Sequence, residues 1–426
     1  VTALSNRFGS RLLGRTSIKA VAGVATFDSV YFNRAGTDIP LLATAESGVV
    51  LSQQQVVDVE LLFSSIQAGG NIVCGLTPLH DAYCWGRNSL GALGVGISNG
   101  NVGSPTLVVG DISFSQLSVG AEWYDLYVQM TDGYVCGVSL DRVAYCWGNN
   151  QYGQLGNGVA GDPVASPRPV SGSYSFRKVE AGPQHACGLT VSGQVLCWGS
   201  NDRGQLGNGQ VGVNMYVPTP VLGTRVYVDL FVGSRGTSCA TDVAGLLYCW
   251  VSVNAEKDVV VDVPTLVDAD IGFAQVDPGS WQHLCGVGLD GVGYCWGYGE
   301  NFVLGGENPA VEFQPAPMPV VGTVPWKTIT TGYTSSCGLR VDSVAMCWGA
   351  DGSGQLGTGY FNRGYYFPVP VVGDLKFDSL VSGRVTTCGL TSSRKAYCWG
   401  WGRWGEHGDG QFTAERAVPG PVGNPQ

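Results

Sequence analysis

No stretch of this 426-residue chain keeps the apolar period of a long amphipathic helix, and none is apolar over the ~18 residues a spanning helix needs. Charged residues make up only 13% of it, so the surface must rely on Ser, Thr, Asn, Gln and Gly, which suits an extracellular protein. Asn-X-Ser/Thr sequons are absent, and ordinary N-glycosylation is not expected. No Gly-x-Ser-x-Gly elbow, His-Glu-x-x-His or P-loop occurs, so the chain reads as a non-enzyme with no cofactor. The formal net charge of −10 disfavours nucleic acid and anionic membrane surfaces as partners. One modest basic series, Arg7, Arg11, Arg15 and Lys19, lies near the N-terminus and reads as solvated charge. The first residue is Val1 rather than Met, which fits a signal peptide that was removed or is simply not represented in the sequence.

Glycine and cysteine are what the chain does have. Sixty-five glycines, many in turn dipeptides among Val-, Tyr- and Trp-rich runs, indicate short strands and tight turns. All fourteen cysteines fall into pairs ten residues apart: Cys74 with Cys84, Cys136 with Cys146, Cys187 with Cys197, Cys239 with Cys249, Cys285 with Cys295, Cys337 with Cys347, and Cys388 with Cys398. That spacing sets the two cysteines opposite each other in a hairpin turning on a three-residue loop. Gly193, Gly245 and Gly291 supply the left-handed residue such a loop requires. Opposed antiparallel residues lie within disulfide reach. Zinc sites use closer pairs with two further ligands, and His80, His185, His283 and His407 are scattered, so disulfides and an oxidising compartment are the reading, with no metal.

The clearest copy predicts strands at Phe176 to Glu180, His185 to Thr190, Gln194 to Trp198 and Val217 to Val221. Four strands recurring every ~50 residues describe an all-β propeller of four-stranded blades. The Cys-Trp-Gly tryptophans, such as Trp85, Trp198 and Trp399, are expected to pack between blades. Gly182-Pro-Gln-His185-Ala-Cys-Gly-Leu189, then Gly193-Gln-Val-Leu-Cys-Trp-Gly-Ser-Asn201 and Gly204-Gln-Leu-Gly-Asn-Gly209, resembles the repeat of the regulator of chromosome condensation family. Gly148 to Gly158 and Gly349 to Gly359 carry the same pattern, and the likeness runs from Phe63 to the C-terminus. It implies a propeller, usually seven-bladed, in a family of exchange factors, inhibitors, receptor ectodomains and binding platforms. The resemblance also makes His185 and His283 structural.

Departures from the repeat are the candidate functional regions. The fourth copy loses its glycine-rich loop after Trp250, and an enlarged first interval contains Trp123 and Tyr124. The last copy groups Trp401 and Trp404 beside Arg403, a composition suited to a binding hot spot or sugar stacking, and equally to ring closure. Residues 16–62 read as a degenerate, cysteine-free copy ahead of the seven stapled ones in 63–426. Strand spacing favours eight blades; the alternative is seven blades with the N-terminal segment extruded. Residues 1–15 form an arm whose Leu4, Phe8, Arg11, Leu12 and Leu13 are candidate assembly contacts. The function expected is a secreted or cell-surface structural protein that contacts other subunits as a homo-oligomer or polymer. Glycan or inhibitor-like recognition is the alternative, and nucleotide exchange a weaker one.

Overall fold

A computed structural model describes residues 60–120, 133–233, 236–251, 261–268, 270–279, 283–307, 311–322 and 324–425, together with the backbone pairing of five short strands in the first 59 residues. Seven four-stranded antiparallel sheets follow one another along the chain, each with its strands in sequence order. Blade 1 comprises Ser65–Gly69, Ile72–Leu76, Ala82–Gly86 and Val102–Leu107. Blades 2 to 7 begin with the strands Phe114–Gly120, Phe176–Ala181, Tyr227–Val232, Phe273–Asp277, Trp326–Thr331 and Phe377–Ser382. These seven first strands face one another around a central channel. Helical structure among the described residues is confined to short 3-10 turns such as Ser89–Gly91 and Glu300–Phe302. No helix among them is long and apolar enough to cross a membrane.

Local chemistry accounts for each blade. In blade 3 the strands run Phe176–Ala181, His185–Thr190, Val195–Gly199 and Met215–Pro220, within two residues of the sequence expectation. The hairpin between the second and third strands closes with Gly193 N donating to Thr190 O at 3.0 Å, and Gly193 has φ +84°. That register places Cys187 directly opposite Cys197 with their Cα atoms 4.0 Å apart.

All seven expected disulfides are formed, and no cysteine is free. Cys74 bonds Cys84 in blade 1, Cys136 bonds Cys146 in blade 2, and Cys187 bonds Cys197 in blade 3. Cys239 bonds Cys249 in blade 4, and Cys285 bonds Cys295 in blade 5. Cys337 bonds Cys347 in blade 6, and Cys388 bonds Cys398 in blade 7. In every blade the two cysteines are cross-strand partners in the pairing of the second strand with the third. One register therefore serves all seven staples, as the constant spacing of ten requires.

Between blades, apolar side chains of neighbours interdigitate into one small core per seam. Phe176, Val179 and Trp198 of blade 3, for example, pack with Tyr134, Cys136 and Leu155 of blade 2. Polar contacts tie the seams as well. Trp198 Nε1 donates to Gln154 O at 2.9 Å, Trp250 Nε1 to Gln205 O at 2.8 Å, and Trp399 Nε1 to Gln355 O at 3.0 Å. In these seams the tryptophan of one blade caps the glycine-rich loop of the blade before it. Buried indole N–H groups need such partners, and in these seams the neighbour supplies one, whereas the buried Trp147 Nε1 has none.

The ring closes between the seventh and first stapled blades. Phe63, Ile66, Val73 and Trp85 share a core with Leu390, Ala396 and the Cys388–Cys398 staple. Trp85 Nε1 donates to Glu406 O at 3.0 Å, Phe63 N to Arg394 O at 2.9 Å, and Leu61 N to Asn424 Oδ1 at 2.8 Å. The propeller therefore has seven blades, and the eight-bladed arrangement that strand spacing favours is not formed. The physical reason is that blades 1 and 7 already satisfy each other's seam. Nor do the strands of the N-terminal segment build a four-stranded blade. Thr2–Ala3, Gly36–Leu42 and Gln55–Val59 form one sheet, and Leu12–Gly14 with Val30–Phe32 another. Leu12 and Leu13 of the arm lie in a strand paired with Phe32 and Tyr31, whereas Leu4, Phe8 and Arg11 fall outside the described residues.

Candidate functional site

The channel is lined by first-strand residues of every blade, and in blades 3, 4 and 5 these include the residues two and four places after the opening aromatic: Lys178 and Glu180, Asp229 and Phe231, Gln275 and Asp277. At the first of these positions Gln116 of blade 2 reaches across to blade 3, its Nε2 donating to Val179 O and its Oε1 accepting from Val179 N. Gln275 of blade 5 makes the same pair of bonds to Ile329 of blade 6. A side-chain amide thus imitates a strand neighbour and zips adjacent blades at the axis.

Blade 3 departs from this pattern, having Lys178 where blades 2 and 5 have glutamine. Lys178 Nζ donates to Leu230 O at 2.8 Å and forms ion pairs with Asp229 Oδ1 at 2.8 Å and Glu180 Oε1 at 3.1 Å. Glu180 Oε2 accepts from Ser118 Oγ at 2.8 Å, and that hydroxyl in turn accepts from Ala181 N. On the far side, Asp277 Oδ1 accepts from Thr331 Oγ1 at 2.7 Å and from Gly279 N at 3.1 Å. Burial raises the pKa of Glu180 despite Lys178 beside it, and raises that of Asp277 against its hydrogen bonds. The carboxylates Lys178 holds raise its pKa in spite of burial. The cavity these groups enclose measures about 260 Å³. Among the described residues no three His, Cys, Asp or Glu converge as metal ligands.

Sequence reading did not single out this channel. Its one signal is a set of charged residues, Lys178, Glu180, Asp229 and Asp277, inside strands whose other positions are largely apolar.

The residues that sequence reading did single out lie elsewhere. Trp404 sits on the seam between blades 7 and 1 and Trp401 ends the third strand of blade 7, both partly buried, with Arg403 exposed. The Arg87 guanidinium of blade 1 lies 5.6 Å from the Trp404 ring, and that of Arg403 lies 4.8 Å from Trp401. The cluster therefore contributes to ring closure and still shows aromatic and cationic surface. Trp123 and Tyr124 lie outside the described residues. A second aromatic surface, absent from the sequence reading, spans blades 5 and 6. There Phe302, Tyr360, Phe361, Tyr366 and Phe367 are exposed, and Arg363 lies 5.4 Å from the rings of Tyr360 and Tyr365. Nothing in the sequence period distinguishes these residues from seam aromatics; only their exposure does.

The histidines are structural bridges. His185 Nε2 meets Ser238 Oγ of blade 4 at 2.7 Å, and His283 Nε2 meets Ser336 Oγ of blade 6 at 3.0 Å. Burial pushes both down to about 3, so each is neutral at ordinary pH. His407 takes the place of the loop leucine, beside Glu406 in the glutamine position, and bonds Gly400 O at 3.0 Å.

Two models of the regulator of chromosome condensation (RCC1) repeat match the chain, one at residues 176–205 and the other at 143–189 and 192–240. Over 366 residues the chain is 26% identical to the ultraviolet-B receptor UVR8 of Arabidopsis thaliana, covering 82% of this chain and 77% of that protein. The chain is an RCC1-like β-propeller. This propeller superposes on yeast RCC1 (Prp20), solved bound to Kap60, with a TM-score of 0.69 at 17% identity, over 90% of this chain and 91% of that one. Human WBSCR16 gives a TM-score of 0.66 at 19% identity, over 78% of this chain and 87% of that one. Seven staples and a closed seven-bladed ring make a rigid frame for the loops on its surface.

Proposed function

We propose that this chain is a secreted, non-catalytic interaction propeller that assembles with further copies of itself through its N-terminal segment. One observation carries the reading. The ring closes on itself with seven blades, while strands within the first 59 residues pair into two small sheets separate from every blade. A strand-forming segment with no blade to complete is suited to strand addition on a neighbour. Head-to-tail addition makes a heterologous contact, which extends into a filament when the rotation does not close. The seven disulfides support an extracellular setting, where covalent staples persist and lend kinetic resistance. They also weigh against nucleotide exchange in a reducing compartment.

Negative-stain imaging and light scattering of the full chain, beside a chain beginning at Glu60, test the proposal. Polymers from the full chain and monomers from the shortened one are expected. Monomers from both at high concentration would sink it. A second reading, recognition of glycans or proteins, rests on the exposed aromatics around Arg363 and on Trp401. Glycan-array binding lost in Trp401→Ala or Tyr366→Ala would favour it.

A further inference from the structure

The central channel holds more negative charge than the blades need to join. Lys178 is fully engaged by Glu180, Asp229 and Leu230 O, one donor to each. Asp277 faces the same cavity from blade 5 and has no cationic partner among the described residues. A second, independent feature lies across the channel. Ser382, the last first-strand residue of blade 7, lines the cavity and is 9% exposed, and its Oγ has no hydrogen-bond partner. Its backbone N–H is held by Thr330 Oγ1, on the strand whose Thr331 holds Asp277. An orphan buried hydroxyl is uncommon in a native interior and calls for a partner.

We propose that the channel binds a small organic cation, a primary alkylammonium group held by Asp277 and Glu180 with Ser382 Oγ as a further acceptor. The size fits, since a cavity of about 260 Å³ stands near the lower end of small-molecule pockets, ~300 Å³. The chemistry fits as well: an ammonium has three donors and no acceptor, the complement of carboxylates and a hydroxyl. Burial desolvates the carboxylates of Glu180 and Asp277 and so raises their pKa, and a bound ammonium offsets that cost. The lack of three converging metal ligands among the described residues favours an organic cation over a metal ion. This site is independent of the assembly reading, because every group in it belongs to the closed ring.

Calorimetric titration of the full chain with 1,4-diaminobutane tests the site, with 1,4-butanediol and calcium as comparison probes. Binding of the diamine alone is expected. Asp277→Asn, which keeps an acceptor for Thr331, should weaken it by about ten- to a hundredfold, the range for one charge-assisted hydrogen bond. Lys178→Gln restores the residue type of blades 2 and 5 and removes the competing cation, so it should bind the diamine more tightly. A role in packing alone predicts no such gain. Ser382→Ala should weaken binding without loss of fold. The proposal is overturned by no diamine binding at millimolar concentration, by an equal response to the diol, or by unchanged affinity in both Asp277→Asn and Lys178→Gln.

Discussion

At the scale of single residues, the repeat tolerates departures whose cost can be read position by position. Gly193, Gly245 and Gly291 have φ near +80° at the hairpin tip, but Arg142, Ser343 and Arg394 occupy the same place with φ near +65°. A side chain in that conformation is disfavoured by ~1–2 kcal/mol, partly offset by the greater backbone freedom glycine loses on folding. Ser343→Gly is therefore expected to stabilise the protein by about 0.5–1 kcal/mol, seen as a higher urea midpoint. The glycine pattern was legible in three copies, and the strained substitutes in the others emerged only from backbone angles. Histidine sets the response to acid. His185 and His283 titrate near 6.5 when unfolded and about 3 when folded, so the unfolded chain takes up protons first as pH falls. Their stabilising effect is complete above pH 6.5 and is lost towards pH 3, at ~1.4 kcal/mol per pH unit for each. Urea midpoints at pH 7 and pH 5 should show this loss, with a shallower slope in His283→Gln.

At the scale of the element, each blade is a hairpin locked by its own disulfide, with outer strands added on either side. The bond closes a loop of about ten residues, so the chain-entropy model gives each one ~3 kcal/mol. Replacing Cys187 and Cys197 by alanine together should lower stability by roughly that amount while leaving the seven-bladed ring intact. Chemical denaturation beside small-angle scattering checks both halves of that expectation. The hairpin strands of blade 3 were legible because turn, register and staple all lie within twenty residues of one another. Its outer strand was displaced slightly, since Met215–Pro220 pairs across a register shift that leaves no mark in the sequence. Strands in the first 59 residues were harder still. Their spacing imitates a blade, but the pairing Leu12–Gly14 with Val30–Phe32 crosses the boundary between arm and degenerate copy that the sequence suggested.

At the scale of the whole molecule, closure decides the architecture. The seam between blades 7 and 1 has the same parts as the others: an aromatic core, a tryptophan N–H on a loop carbonyl, and backbone bonds between neighbours. A chain beginning at Glu60 retains all of them, including the Lys395–Glu60 ion pair at 2.6 Å. Its melting temperature should match that of the full chain, measured below the concentration at which the full chain assembles. A large loss would show that the ring needs the N-terminal segment. The sequence alone determined the blade, the staple and which cysteines pair, because these depend on residues close together in the chain. It also marked Trp401 and Trp404 by composition, though not that Trp404 lies on the closing seam. Only the tertiary structure decided the number of blades in the ring. It alone gathered Lys178, Glu180, Asp229 and Asp277 around one channel. Those outcomes depend on how twisted sheets accumulate around an axis and on contacts between residues hundreds of positions apart, and no local pattern encodes either.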